Sequence, residues 1–157
     1  MKNKKNWLGI LVIVLVFGIM VIGCDNGTTS DDISGTWSNW CCADCGEKIL
    51  IFNNGNYTLS NRNGPIERGT YRTNGGILTI TVTEIHGGNH WLAEDFSWEI
   101  GVELVSRWYT RNELISLAGG NNWLIEEINN VFSSSCAVAF SRSGNTLVIG
   151  HSTWTRR

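Results

Sequence analysis

Residues 77–84 read I-L-T-I-T-V-T-E, with Leu78, Ile80 and Val82 on one face of an extended chain and Thr79, Thr81 and Thr83 on the other. Strict period-two alternation of apolar and polar β-formers marks a strand with one dry and one wet side, the pattern of an antiparallel sheet. The same punctuation extends in both directions. Upstream, strands are expected at Gly35–Trp40, Lys48–Phe52, Tyr57–Leu59 and Glu67–Thr73, separated by Asn- and Gly-rich turns such as N-N-G-N at 53–56 and N-G-G at 74–76. Downstream, His86–Asp95 reads as a polar loop. Phe96–Thr110 then reads as a long amphipathic strand, because Phe96, Trp98, Ile100, Val102 and Leu104 alternate with polar or small residues. Cys136–Arg142, Thr146–Ile149 and Ser152–Arg156 complete about nine strands.

Two short helices interrupt this run. Thr110 and Glu113 have the spacing of a capping box before Leu114, Ile115 and Leu117, which predicts a helix over Arg111–Ala118. Asn121 or Asn122 caps a second over Trp123–Phe132, where Leu124, Ile128 and Val131 share a face with Phe132. Two short helices cannot cover a large sheet, so this many strands must curl on themselves or stack. The expected fold is all-β: a small antiparallel meander barrel with two inserted helices, a two-sheet sandwich being the alternative.

The N-terminus has a separate logic. Lys2, Lys4 and Lys5 precede an uncharged run from Asn6 to Cys24, and its apolar core, Leu8–Ile22, is shorter than the roughly 20 residues that span a bilayer. The run ends V-I-G-C at 21–24 and resembles the bacterial lipobox, in which a small residue precedes a cysteine that is acylated and becomes the new N-terminus. The resemblance implies a signal peptide over 1–23, a lipid on Cys24 and attachment to a cell membrane or outer membrane, facing the periplasm or the exterior. Residues 24–34 read as a flexible tether and 35–157 as the folded domain. From Cys24 onward the chain carries nine basic and fourteen acidic residues, which argues against a nucleic-acid surface.

G-T-W at 35–37, L-I-F-N-N-G-N-Y-T-L-S at 50–60, G-T-Y at 69–71, L-T-I-T-V-T at 78–83, W-Y-T-R-N-E-L at 108–114 and the terminal G-N-T-L-V-I and T-W-T-R form an ordered set. Together they resemble the small lipocalin-like lipoproteins of bacteria, abundant as paralogues in some spirochaetes. That resemblance implies a meander barrel able to enclose a small apolar ligand, with Trp37 closing one end and Arg156 packing over its ring. Ile80, Val82, Trp98, Ile100 and Val102 are the expected lining of such a cavity.

Four cysteines besides Cys24 remain in an exported chain: Cys41, Cys42, Cys45 and Cys136. Disulfides are the expectation there. In a meander barrel the end of the first strand and the start of the strand at Cys136 share a rim. A bridge from Cys136 to the 41–45 loop then leaves Cys45 to pair with Cys41 or Cys42. C-x-x-C at 42–45 has a zinc or redox reading as well, but no second such motif follows. His86 and His90 read as surface polar residues. Glu94 with Asp95, Glu99 with Glu103, and Glu126 with Glu127 are carboxylate pairs only by type. There is no G-x-S-x-G, H-E-x-x-H or phosphate loop. No catalysis, metal or cofactor is therefore expected. The expected function is structural or interactive, toward an envelope or host protein. Binding of a small hydrophobic ligand is the alternative.

Overall fold

The computed structural model describes residues 31–42, 46–133 and 135–157, with the backbone alone for Cys41 and Cys42. The signal peptide, Cys24, residues 25–30 of the tether and Cys45 lie outside the described residues, as do the side chains of Cys41 and Cys42.

The strands are β1 (Gly35–Cys42), β2 (Gly46–Asn53), β3 (Asn56–Asn61), β4 (Gly64–Asn74), β5 (Ile77–His86), β6 (Trp108–Thr110), β7 (Cys136–Ser143), β8 (Thr146–Ile149) and β9 (Ser152–Arg156). Consecutive strands from β1 to β5 pair antiparallel, β5 pairs β7, and β7–β8–β9 leads back to β1. Closure rests on the pairs Trp37–Arg156 and Ser38–Thr155. The result is a closed eight-stranded antiparallel barrel, which excludes the open sandwich. The short β6 lies outside the ring, on the C-terminal part of β5 at Glu84–His86.

Local chemistry sets the hairpins. Asn54 and Gly55 between β2 and β3, and Gly75 and Gly76 between β4 and β5, all have positive φ, as two-residue turns matching strand twist require. Gly69 is needed for another reason. A bulge shifts the β4–β5 register between Arg68 and Gly69, and a Cβ on Gly69 would stand 2.0 Å from the Thr81 carbonyl oxygen.

The longest expected strand is not one. Residues Leu92–Ile100 form helix α1, followed by α2 (Arg111–Leu117) and α3 (Asn122–Ser133), so the described residues hold three helices where two were expected. Leu92, Phe96 and Ile100 recur every four residues, and the first two are fully buried, so helical spacing hides more than alternation does. Gly101, at φ 68°, ends α1 with amide bonds from Gly101 to Ser97 and from Val102 to Phe96. The capping box at Thr110 and Glu113 forms in full, and Asn121 accepts from the Leu124 amide at the start of α3.

Two cores result. One fills the barrel around Trp37, Leu50, Phe52, Leu78, Phe140 and Leu147. The other lies between the helices and the end of β5, around Ile85, Phe96, Leu114, Leu124 and Ile128. The barrel end from which β1 starts is closed by the preceding segment. Ile33 is buried, its carbonyl accepts from the Trp37 indole N–H at 2.8 Å, and the Asp31 and Asp32 carbonyls accept from Thr73 and Arg142. Asp31, Asp32 and Ile33, inside the stretch expected to be tether, thus make contacts with the barrel.

Candidate functional site

The other end of the barrel carries the chemistry. Pairing of Leu59 with Glu67 and Tyr57 with Gly69 brings two inward side chains together on adjacent strands. The Tyr57 hydroxyl donates to Glu67 Oε1 at 3.1 Å. Beyond β5 the chain turns at Gly87 and Gly88, where a Cβ on Gly87 would meet the Val105 carbonyl oxygen at 2.5 Å, and returns His90 toward the barrel mouth. His90 Nδ1 accepts from the Leu92 amide, so the neutral ring carries its proton on Nε2, which stands 3.8 Å from Glu67 Oε2.

Burial governs the ionisation of all three groups. It pushes the Glu67 carboxyl above its ordinary value, and the Tyr57 hydrogen bond and the Lys48 charge only partly oppose it. The Tyr57 phenol is raised by burial and by the adjacent carboxylate, so it stays a donor. His90 is lowered to about 4 by burial and is neutral at neutral pH. The expectation that His86 and His90 are surface residues is thus corrected: both are buried. The His86 ring meets Trp108 edge-on at 5.3 Å.

Two cavities meet at Glu67 and Ile80. The inner one, about 180 Å³, is walled mainly by Leu50, Tyr57, Leu59, Ile149 and Trp154. The outer one, about 290 Å³, opens beside Val82, His90, Trp91 and Cys136. Of the expected cavity lining, Ile80 borders both cavities, and Val82 borders only the outer one. Val82, Ile100 and Val102 pack against the helical core, and Trp98 is 89% exposed on α1. Trp98 and Ile100 left the barrel because their segment is helical, and Val102 follows just after the end of that helix. Trp37 is fully buried, with the Arg156 guanidinium carbon 5.7 Å from its ring centroid and Arg142 at the same distance.

Cys136 is an exposed free thiol at the mouth, on the rim where β1 ends, and the side chains of its expected partners Cys41, Cys42 and Cys45 lie outside the described residues. Among the described residues no group of three His, Cys, Asp or Glu side chains could hold a metal, and no helix is long and apolar enough to cross a membrane. Glu94 and Glu99 are exposed on α1.

The Glu67–Tyr57–His90 cluster escaped the sequence reading because its members are brought together by barrel closure and the return turn. The faint signal was a lone glutamate at 67, placed inward by strand parity. A second feature is the helical face at the mouth, where Trp91 and Trp98 lie seven residues, or two turns, apart and are both exposed. Comparison with known proteins finds no family, no curated protein and no solved structure that matches this chain.

Proposed function

We propose that this chain is a lipid-anchored cell-envelope protein whose barrel is a rigid support for protein contact through the helices at its mouth, with no reaction of its own. The observation that carries the reading is the exposure of Trp98 (89%) on α1 and of Trp91 (51%) at its N-cap. Large aromatics left in water on a rigid element are a characteristic of recognition surfaces. Their position agrees with the anchor. The described chain enters at the opposite, closed end of the barrel, and the seven residues from Cys24 to Asp31 reach at most about 25 Å. A lipid on Cys24 therefore holds the closed end near the bilayer and turns the helices away from it.

The barrel interior supports the same reading. Its inner cavity of about 180 Å³ is by itself smaller than the roughly 300–1,000 Å³ of ordinary small-molecule pockets. The experiment uses cells that make the full chain with a photo-crosslinking amino acid at position 98 and, as control, at position 77 on the barrel wall. A discrete adduct from position 98 alone is expected, together with release of the protein from membranes in Cys24→Ser. Equal labelling from both positions, or no adduct from 98, overturns the interaction reading. Retention of Cys24→Ser in the membrane overturns the anchor.

A further inference from the structure

The barrel mouth holds a half-buried acid, Glu67, whose side chain is 23% exposed. Glu67 Oε1 accepts from Tyr57, whereas Oε2 receives no hydrogen bond from any described residue. Its nearest donor, His90 Nε2, is 3.8 Å away, beyond hydrogen-bonding reach. Glu67 lines both cavities, and the rest of the inner wall is mainly apolar, with Ser152, the Tyr57 hydroxyl and the Trp154 indole as its polar members. Among the described residues the buried His86 Nδ1 and Trp154 Nε1 also have no hydrogen-bond partner, whereas the exposed cations are paired. Arg68 pairs with Glu84 at 2.6 Å and covers Trp108, and Arg107 pairs with Glu113.

We propose that the inner cavity binds a small organic ammonium, an amine on a short apolar body, with the Glu67 carboxylate as its counterion. The site selects for this class by three physical means. A charge-assisted N–H to carboxylate bond is the strongest that the free oxygen can make, and the apolar wall strengthens it. Tyr57 and Trp154 contribute aromatic rings to the same wall, and aromatic rings attract a cation over their faces. The inner volume of about 180 Å³ admits a body about the size of one aromatic ring. Neutral His90 adds no positive charge that would repel the ligand, and a carboxylate ligand meets Glu67 as a like charge. Lys48, on β2, is the internal cation whose charge acts on Glu67, so it competes with the ligand. This inference does not depend on the interaction surface or on the lipid anchor.

The test is calorimetric titration of the full chain, held in nanodiscs, with 2-phenylethylamine, 2-phenylethanol and phenylacetate. The amine is expected to bind at least about tenfold more tightly than the alcohol, and phenylacetate not to bind, as one charge-assisted bond in an apolar wall implies. Glu67→Gln is expected to abolish the preference for amine over alcohol, and Lys48→Met to raise it. No binding of the amine, equal binding of amine and alcohol, or a preference retained in Glu67→Gln overturns the proposal. Where Glu67→Gln does not fold, the amine-to-alcohol ratio on the unaltered protein decides alone.

Discussion

Trp37 and Arg156 face each other across the pairing that closes the barrel, with the guanidinium carbon 5.7 Å from the indole centroid. The two residues contribute unequally. The indole is fully buried and holds the Ile33 carbonyl, whereas Arg156 is exposed and shares its place over the ring with Arg142. Trp37→Ala is expected to cost about 3–5 kcal/mol, the usual range for emptying a buried aromatic site. Arg156→Ala should cost only about 0.5–1 kcal/mol, as for an exposed cation over a ring. Urea unfolding measures both. Equal losses would mean that the buried ring contributes no more to closure than the exposed cation.

Gly69 is fixed by a neighbouring backbone. Its φ is not positive, so the demand is steric: the Thr81 carbonyl occupies the space where a Cβ would lie. Gly69→Ala must push β4 away from β5 at the bulge and is expected to lose about 1–3 kcal/mol, in the range of overpacked sites. Gly144→Ala in the β7–β8 turn has open space but a positive φ of 55°, so its loss is conformational and near 1 kcal/mol. Thermal melts of the two variants separate the cases. A smaller loss at Gly69 than at Gly144 would remove the steric argument.

Most of the barrel was legible because its information is local. Alternation at residues 77–82 and the Asn-Gly turns name strands without reference to anything distant. Phe96–Leu104 failed because one string satisfies two periods. Phe96, Trp98, Ile100, Val102 and Leu104 alternate, while Leu92, Phe96 and Ile100 keep helical spacing, and the buried core settles the matter. That choice carried Trp98 from the expected cavity to the surface. The Glu67 site was illegible for a different reason. Its partners come from β3, β4 and the turn after β5, and only closure shows that Glu67 lacks a second hydrogen bond.

Helix α2 is held at its start by a reciprocal cap. Thr110 accepts from the Glu113 amide and Glu113 accepts from the Thr110 amide, with Arg107 on the same carboxylate. Thr110→Ala is expected to lose about 1 kcal/mol. These bonds hold the Glu113 carboxyl down to about 2. The depressed value means that its contribution is present above the ordinary 4.5 and disappears as the pH falls through 2. Glu113→Gln should therefore lower stability at neutral pH and match the unaltered protein at pH 2. Paired urea titrations at the two pH values measure this, and a constant gap would exclude the charged cap.

His90 sets the opposite end of the pH response, because its ring is buried in the neutral form. The unfolded chain takes up the proton near 6.5, whereas the folded chain resists until about 4. Folding stability is then undiminished above 6.5 and declines as the pH falls toward 4, by on the order of 3 kcal/mol in all. The groups around the ring bear on the size of this loss. The Glu67 carboxylate, 3.8 Å from Nε2, attracts a protonated ring, but its own raised pKa means that acid discharges it over part of the same range. The Leu92 amide points its hydrogen at Nδ1 and disfavours a proton there. His90→Gln keeps an acceptor for that amide and does not titrate. Its stability should hold steady from pH 7 to 4.5 while that of the unaltered protein drops. Parallel decline of the two, measured by urea midpoints, would place the acid sensitivity elsewhere in the barrel.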